Sequence, residues 1–494
     1  MKKITFLQLL SFLISVSLLL GALVSCNSIN QQQTEEPEDT VSLPDSEESD
    51  DAPVNEESDE EESEEGTEDT TDQEPTTEPE DEPSGEESTD QEPPKEDTDE
   101  EETDIQEPST PPEEPTEETT GLDFTNVEPI QHTSLTANYT YFIGDGNTLT
   151  KYMNKTRNDF LGVCKYFAND GYELYGYNEM GNLVSATYTK SGLMMHVYWI
   201  GGEMNELAVV RGWVYNTLPP ATPEITTGQK DTVIVQMRAN EADLDTQING
   251  MGYVIRLADG SFIIYDGGYA SRVDELWDTL TSLNGGNRKI IIRAWLITHS
   301  HGDHTGCFDA FSQKYASKVT LERLLVSPIN KDIDWYRVRL NRFRRTSLIC
   351  VHTGMVFTFC DVKMEILCSA DEIYFDGASN DFNNTSIVSR IYKDGGKKVM
   401  ILGDAGDDVS NRLIPMYGDY LKSDICQAAH HGVEDFTIEA YRLIRASVWF
   451  YPCNSALYAS PRHIEVRKEI EHAEYTKRIF LHDAPRRTEI SINK

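Results

Sequence analysis

The segment that most limits what this chain can fold into is residues 27–120, which has hardly an apolar side chain among its Glu, Asp, Thr, Ser, Pro and Gln residues. Residues 31–120 hold 41 acidic residues against one basic residue, Lys95, and so carry a charge of −40. Such a segment cannot bury enough apolar surface to offset the entropy of ordering, which predicts a disordered acidic linker over 27–120. The whole chain carries −44, so the remainder carries only −4, and the acidity says nothing about a substrate.

The N-terminus combines two lysines, the apolar run 6–24 and a cysteine at position 26. The residues Leu-Val-Ser before Cys26 resemble the lipobox of bacterial lipoproteins, in which the signal is cleaved before the cysteine and lipid is attached to its thiol. The resemblance implies a signal peptide over 1–26, lipidation of Cys26 and anchoring at the extracytoplasmic face of the membrane. The alternatives are an ordinary secretory signal or an uncleaved membrane anchor.

Composition changes abruptly near residue 121, where aromatic residues and strand patterns begin. A helical pattern lies at 158–169. It is followed by three runs typical of strands, at 184–188, 193–200 and 206–211, with Gly-containing turns between them. These patterns predict a small α+β module over 121–220. Its tyrosines could stack on sugars, but packing against the small sheet is the simpler interpretation, and the sequence assigns the module no role.

A Pro- and Thr-rich stretch over 217–230 reads as a linker, and a second folded segment follows it. Strand patterns at 232–236, 252–257 and 261–265 precede a helical pattern at 274–283 and a strongly apolar strand at 289–298. Strands mixed with helices in this way predict an α+β sandwich over 229–494.

The apolar strand runs directly into His299-Ser-His301-Gly-Asp303-His304. Imidazole and carboxylate groups suit zinc and similar divalent ions, and four such groups within six residues form a dense cluster. His299 and His301 are two residues apart, so an extended backbone points both side chains the same way. We therefore predict a metal site at the end of this strand.

This H-x-H-x-D-H pattern resembles the signature of the metallo-β-lactamase superfamily. Further elements of that family follow in the same order. Asp266-Gly267 ends an earlier strand, Asp404 ends an apolar strand, and His431 precedes a glycine at the end of another. The resemblance implies an αββα sandwich that binds two divalent metal ions, with Zn²⁺ as the expected metal. It places the metal ligands at His299, His301, Asp303, His304, Asp404 and His431.

Three segments are similar to one branch of this superfamily, the hydrolase domains of DNA-uptake competence proteins and the teichoic-acid phosphorylcholine esterases. They are 383–388, which starts Asn-Asn-Thr-Ser, His430-His431-Gly432, and Asn454 followed by Ser460-Pro461. The chain departs from the branch at Val433 and Ser460, where serine and histidine are usual. His352 is the one histidine between His304 and His430. It is either a further ligand or a surface turn residue.

The resemblance implies hydrolysis by a hydroxide formed from water on the metal ions, with Asp303 and His430 as the candidate catalytic residues. His430 either donates a proton or hydrogen bond to the substrate or orients a metal ligand. The expected activity is that of a phosphodiesterase on envelope or extracellular phosphodiesters. The alternatives are a β-lactam hydrolase, and a surface binding protein in which the hydrolase fold is a non-catalytic scaffold.

Five arginines lie within residues 337–345. They either decorate a solvated helix face or attract an anionic substrate, such as a cell-envelope polymer or a nucleic acid. The membrane, through the lipid anchor, is the other expected partner, and the sequence predicts no stable protein partner.

Overall fold

The computed structural model describes ten segments of the chain. These are residues 122–142, 147–213, 218–220, 230–238, 249–285, 289–327, 333–373, 382–432, 436–484 and 487–493. All of them fall within one compact unit, Ser109–Lys494, which includes both the predicted small module and the predicted sandwich. The predicted signal peptide with Cys26 and the predicted acidic linker lie outside the described residues. None of the helices in the described part of the chain has the length and apolar character that a membrane crossing requires.

The described residues form strands and α-helices that alternate along the chain. The strands are β1 Tyr139–Phe142, β2 Thr148–Tyr152, β3 Glu173–Met180, β4 Leu183–Lys190, β5 Leu193–Ile200, β6 Glu206–Trp213, β7 Val233–Gln236, β8 Gly252–Arg256, β9 Phe262–Asp266, β10 Ile290–Leu296, β11 Val319–Leu321, β12 Arg323–Val326, β13 Ser347–Cys350, β14 Val356–Phe359, β15 Val362–Cys368, β16 Val388–Tyr392, β17 Lys398–Ile401, β18 Ile425–Gln427, β19 Val448–Tyr451, β20 Arg478–Leu481 and β21 Thr488–Ser491. The α-helices are α1 Arg157–Asn169, α2 Val273–Asn284, α3 Gly302–Lys314, α4 Ile333–Leu340, α5 Ala370–Ile373, α6 Asp407–Tyr417, α7 Ile438–Ile444, α8 Ser455–Tyr458 and α9 Ile464–His472.

The first of three sheets is antiparallel, with the order β1-β2-β6-β5-β4-β3. Its central strands β4, β5 and β6 contain the three runs that the sequence predicts as strands. The predicted helix is α1, whose first turn is closed by a capping box between Thr156 and Asp159. Phe160 and Phe167 of α1 pack with Tyr188 and Val197 of the sheet. Each face of this sheet is thus covered, one by α1 and the other by the rest of the unit.

The second and third sheets form the sandwich that the sequence predicts, and the α+β fold class is confirmed. The eight-stranded sheet has the order β13-β12-β10-β9-β8-β7-β21, with β11 also beside β10, and the seven-stranded sheet runs from β14 to β20 in sequence order. A continuous core lies between them, in which Ile255 and Leu296 of one sheet pack with Ile391 and Ile401 of the other. The last three residues of β10, Ala294, Trp295 and Leu296, are all buried, as is usual where a strand is covered on both faces.

Helices cover the outer faces of this sandwich. Leu280 of α2 and Phe311 of α3 pack with Trp295 on the eight-stranded sheet. On the other side, Leu413 of α6 packs with Met400 of the seven-stranded sheet. The six-stranded sheet joins that same cluster through Tyr198, Ile200 and Val210.

Strand direction determines where functional side chains gather. Strands β9, β10, β12 and β13 are parallel to one another, and so are β17, β18, β19 and β20. Residues that follow β10, β17 and β18 meet at the edge where these strands end, which is the usual position of sites in sheets with parallel strands.

Candidate metal centre

Strand β10 brings the H-x-H-x-D-H residues to one edge of the sandwich. His299 follows the strand and is buried, and His301 is the residue from which α3 begins. Asp303 and His304 therefore lie in the first turn of α3, and the His304 side chain is buried. The extended segment and the helix start thus turn both pairs of side chains towards the same edge.

The seven-stranded sheet supplies the residues on the side of the site opposite α3. Asp404 follows β17, and His430 and His431 follow β18 with positive φ angles of 45° and 55°. The His430 amide donates to the Gly403 carbonyl at 3.0 Å, which joins the two turns. The Gln427 side chain accepts hydrogen bonds from the amides of Leu402 and Gly403 at 2.8 and 2.9 Å. These bonds hold the sharp turns that aim Asp404 and His431 at α3.

Four ligand-type side chains converge at this point. Single ligand atoms of Asp303, His304, Asp404 and His431 all lie within 4.8 Å of one another. The Asp404 Oδ2 atom is 3.1 Å from His304 Nε2 and 3.2 Å from His431 Nε2. The Asp303 Oδ2 atom is 3.1 Å from His431 Nε2. Two carboxylates and two imidazoles thus surround one small volume, with Asp404 in contact with both rings.

The other ring nitrogen of each histidine is bonded to a supporting group. His304 Nδ1 donates to Asp266 Oδ2 at 2.7 Å, and His431 Nδ1 donates to the Pro452 carbonyl at 3.0 Å. Asp266 also accepts from the Thr298 amide and hydroxyl at 2.7 and 2.8 Å. A proton held on Nδ1 leaves the Nε2 lone pair directed into the cluster, which is the arrangement that metal-binding histidines require.

Several buried polar atoms at this point have no hydrogen-bond partner. They are Nε2 of His299, Nε2 of His304 and Oδ1 of Asp404. Buried polar groups in native proteins are almost always paired, so such atoms at one point indicate a missing partner. The nitrogen and oxygen donors suit zinc or iron-type divalent ions. The residues therefore fit a metal centre.

Charge at the site also favours a cation. Burial alone would raise the pKa of Asp404, but neighbouring His304 and His431 outweigh it and hold that pKa well below its ordinary value. Burial likewise opposes protonation of His431, but Asp404 and Asp303 outweigh it and raise its pKa to about 9. The carboxylates thus create a local field that attracts positive charge.

Four of the six predicted ligands lie in one group, and the other two lie beside it. Asp303, His304, Asp404 and His431 form the group described above. His299 lies beside it, with Nε2 3.9 Å from Asp404 Oδ2 and its ring centre 4.1 Å from that of His304. His301 is partly exposed, and its ring centre lies 4.8 Å from that of His299. The four-residue group includes neither His299 nor His301.

Two further histidines have different surroundings. His430 is partly exposed, and its Nε2 atom lies 3.2 Å from the Asn383 amide nitrogen, which places the ring at the rim of the cluster. His352 is buried, and its Nδ1 bonds to Asp371 at 3.0 Å. His352 is neither in the four-residue group nor on the surface, so neither alternative for this residue describes its environment.

Comparison with known sequences identifies part of the sandwich. Residues 246–358, which contain the whole H-x-H-x-D-H segment, match the profile described as the metallo-beta-lactamase superfamily. The chain contains a metallo-β-lactamase superfamily domain. No curated protein matches the chain in sequence.

Several solved structures are similar to this chain. The diiron β-hydroxylase CmlA from Streptomyces venezuelae is 12% identical, with a TM-score of 0.34, over 54% of this chain and 55% of that one. The short form of human tRNase Z is 16% identical, with a TM-score of 0.30, over 53% and 99%. Zinc-bound PqqB from Methylobacterium extorquens is 9% identical, with a TM-score of 0.29, over 44% and 88%. The match spans just over half the length of the first of these proteins.

Several residues that support the candidate metal centre have no role predicted from the sequence. The Asn249 amide donates to Asp303 Oδ2 at 2.9 Å, and the Ser386 hydroxyl donates or accepts at His299 Nδ1 at 3.3 Å. Asn383 and Ser386 belong to the Asn-Asn-Thr-Ser segment, and Asp266 belongs to the Asp-Gly turn. Both motifs were visible in the sequence, but which side chains they would contact was not.

Proposed function

We propose that the chain is a metal-dependent hydrolase, and that its substrates are phosphodiesters of the cell envelope or its surroundings. The observation that carries the proposal is the group of buried, unpaired ligand atoms on His299, His304 and Asp404. His304 and Asp404 also belong to the four-residue group of ligand-type side chains, which distinguishes their unpaired atoms from the unpaired ring nitrogen of His352. The superfamily profile supports the same reaction class, since most of its members are hydrolases.

The proposed ligands fall into two neighbouring sets. His299 and His301 would hold one ion, Asp303, His304 and His431 the other, and Asp404 would lie between them. When bound, divalent ions at this position lower the pKa of water and polarise a phosphoryl oxygen. The chain supplies the orientation, since Asp266 and the Pro452 carbonyl fix the imidazole rings before any substrate arrives.

His430 is the residue that we assign to the substrate. It lies next to His431 in the chain but at the partly exposed rim, where Asn383 contacts its Nε2 atom. A histidine held there by a neighbouring amide can donate a hydrogen bond or a proton to a phosphate oxygen or a leaving group. Asp303, the other candidate catalytic residue, contacts His431 and Asn249.

The position of His352 favours phosphodiesters over β-lactams. Many two-zinc members of the superfamily carry a further histidine ligand midway along the domain. Here the one candidate, His352, bonds to Asp371 and is not in the four-residue group. Together with the His430-His431-Gly432 turn, this supports the phosphodiester branch.

We also propose that the protein is anchored by lipid on Cys26, with residues 27–120 as an extended spacer at the extracytoplasmic face of the membrane. Like charges along the spacer would repel one another and extend it. Metabolic labelling with an alkyne fatty acid, followed by membrane fractionation, tests this location. The Cys26→Ser variant is expected to lose both the label and the membrane association. Label on the variant would contradict the assignment of this thiol.

The catalytic proposal is tested on the full-length protein purified in detergent. Bound metal is quantified by mass spectrometry, and bis-p-nitrophenyl phosphate, p-nitrophenyl phosphorylcholine and a chromogenic cephalosporin are assayed side by side. The expected result is close to two metal ions per chain with turnover of a phosphodiester. Asp303→Asn should abolish that turnover, because it removes a charge at the centre of the cluster.

Asp309→Asn is the matched control, since Asp309 lies on the same helix but bonds Arg339 and Arg342 instead of the cluster. It is expected to keep full metal content and activity. Turnover of the cephalosporin alone would identify a β-lactamase. A protein without metal or turnover would leave the surface binding protein as the remaining interpretation.

A further inference from the structure

A large cleft lies at one edge of the sandwich, away from the metal centre, and both sheets contribute to its lining. Its volume is about 1010 Å³, at the upper end of the range for ligand pockets. The lining includes Lys289, Arg323 and Ser347, which stand at the beginnings of β10, β12 and β13. The cleft therefore opens at the edge where these parallel strands start.

The metal centre lies at the opposite edge of the same strands. Lys289 immediately precedes β10, and His299 follows its end. The strand has seven residues, and a strand rises about 3.3 Å per residue, so the two sites are about 20 Å apart. The cleft is thus a separate site and not an extension of the metal centre.

Basic side chains dominate the lining of this cleft. Six of its residues are cationic, namely Lys289, Arg293, Arg323, Arg342, Arg344 and Arg345, and among the lining residues Glu322 alone is acidic. Such a density of one charge in a concave surface focuses the field and concentrates anions. It is notable in a folded part whose overall charge is close to zero.

Three of these cations are neutralised by carboxylates. Arg293 bonds to Asp259 at 2.8 Å and to Glu322 at 2.9 Å, and Arg323 bonds to Glu322 at 2.7 Å. Arg342 bonds to Asp309 at 3.1 Å. Asp259 and Glu322 thus balance Arg293 and Arg323, and Arg342 shares Asp309 with Arg339, so ion pairs hold this half of the lining in place.

The other three cations are not balanced. In the described part of the chain, no carboxylate lies within ion-pair distance of Lys289, Arg344 or Arg345, and all three residues are exposed. Lys289 precedes β10, and Arg344 and Arg345 precede β13. The cleft therefore presents about three positive charges to whatever enters it.

The arginine-rich run is divided by the structure in the same way. Its first members stay on or near α4, where Arg337 bonds to Asp334, and Arg339 lies over the Trp335 ring and bonds to Asp309. Helix α4 ends at Leu340, so Arg344 and Arg345 lie beyond it in the turn before β13. The predicted solvated helix face thus describes only the first part of the run.

From this arrangement, we propose that the cleft is a second binding site that takes adjacent phosphate groups of an oligophosphate or a phosphodiester chain. Guanidinium groups bind phosphate oxygens through paired, charge-assisted hydrogen bonds, and the three unbalanced cations match several neighbouring phosphates. The volume leaves room for more than one such group. The site is independent of the metal centre, so this inference stands or falls separately from the proposed hydrolase activity.

Titration calorimetry with inorganic tripolyphosphate tests the site on the full-length protein. The protein is first treated with a chelator, so that no metal contributes to binding. Saturable binding that weakens as salt increases is expected. The double variant Arg344→Gln/Arg345→Asn should weaken it by at least about tenfold, because it removes two of the three unbalanced cations that would form charge-assisted hydrogen bonds to phosphate. Asparagine is chosen because Arg345 has a φ of 61°, which asparagine tolerates.

Arg337→Gln is the matched control, because it removes a charge from the same run without touching the cleft. It should leave binding unchanged, as should Asp404→Asn at the metal centre. A variant with the opposite effect guards against misfolding: Glu322→Gln removes the one acidic charge of the lining and the carboxylate that pairs with Arg323, while Arg293 keeps Asp259, so it should tighten binding. Absence of binding, or equal loss in Arg337→Gln and the double variant, would overturn the proposal.

Two further ligands distinguish the source of the phosphates. A single-stranded oligothymidylate and a glycerol phosphate oligomer are titrated under the same conditions. Binding of one of them, lost in the double variant, identifies that polymer as the ligand class. Binding of tripolyphosphate alone identifies a free oligophosphate. Each of these results supports the assignment of a phosphate site.

Discussion

The Lys151 ammonium group lies 3.1 Å from the Glu372 carboxylate, and both side chains are completely buried. Lys151 belongs to β2 of the six-stranded sheet, and Glu372 belongs to α5 in the sandwich. Arg412 also bonds to Glu372 and bonds to Glu206 at 2.7 Å, while the Tyr198 hydroxyl donates to Glu372 at 2.6 Å. A charged network, and not only apolar packing, therefore joins the two parts of the unit.

This network predicts that a single substitution at Glu372 strongly lowers the free energy of unfolding. Glu372→Gln keeps the shape of the side chain but removes the negative charge that faces the buried Lys151 ammonium group. Burial alone would raise the pKa of Glu372, but Lys151 and Arg412 outweigh it and hold the pKa at about 2, so the group is ionised at neutral pH. We expect the free energy of unfolding to fall by about 3–5 kcal/mol, measured by urea denaturation.

Glu179→Gln is the control for that change, because Glu179 pairs with Arg157 where both side chains are about half exposed. Exposed pairs contribute less than about 1 kcal/mol, so this variant should unfold almost like the parent. Similar losses for the two variants would show that burial does not determine the contribution of Glu372.

A second prediction concerns acid stability and His196. Burial lowers the pKa of His196 to about 4, and its ring bonds to Thr187 and to the Thr353 carbonyl at 2.8 Å each. The unfolded chain binds this proton below about pH 6.5, whereas the folded chain binds it only below about pH 4. Stability should therefore fall as pH drops from 6.5 to 4, by at most about 3 kcal/mol.

The measurement is the free energy of unfolding between pH 7 and pH 4. His196→Gln retains a hydrogen-bonding side chain that does not titrate, so its pH dependence should be flatter than that of the parent over this range. Parallel curves for the two proteins would assign the acid sensitivity to other groups.

The third prediction separates the two adjacent histidines after β18. His431→Asn removes a nitrogen that faces Asp303 and Asp404, so it should lose bound metal. His430→Asn changes only the rim, so it should retain metal and lose about a hundredfold in kcat on a phosphodiester. Asparagine suits the positive φ of both positions. Metal loss in His430→Asn would instead assign that residue to ligand support.

The fourth prediction concerns the residue behind His304. Asp266 accepts three hydrogen bonds, from His304 Nδ1 and from the amide and hydroxyl of Thr298. Asp266→Asn replaces one accepting oxygen by a donor, so at least one of these bonds is lost. Metal affinity should fall by about 10–100-fold, measured by competition with a chromophoric chelator.

Asp371→Asn is the matched control for this substitution. Asp371 is also a buried carboxylate that bonds to a histidine, but its partner His352 is outside the four-residue group. Metal affinity should remain unchanged in this variant, although stability is expected to fall. Reduced affinity in both variants would make His352 part of the metal centre.

The parts of the site that could be predicted are those marked by neighbouring residues in the sequence. His299 to His304 stand together in the chain, and Asp404 and His431 stand where apolar strands end. Strand ends meet at one edge of a sandwich, so their order alone indicates a common site. The α+β class followed in the same way from the alternation of strand and helix patterns.

The parts that could not be predicted depend on contacts between distant residues. Lys151 and Glu372 are 221 positions apart, and a lysine in a strand normally indicates a surface position. The cleft likewise gathers Lys289, Arg323 and Arg344 from the starts of separate elements. The arginine run was visible in the sequence, but which of its members lacks a carboxylate depends on where α4 ends.

The origin of the four grouped side chains has one more consequence. Asp303 and His304 follow a strand of one sheet, while Asp404 and His431 follow strands of the other, so an ion held by all four would cross-link the two halves of the sandwich. The halves could then separate only by releasing it. By mass action, metal at a hundred times its dissociation constant would add about 2.7 kcal/mol to the free energy of unfolding, so the same ion would also stabilise the fold.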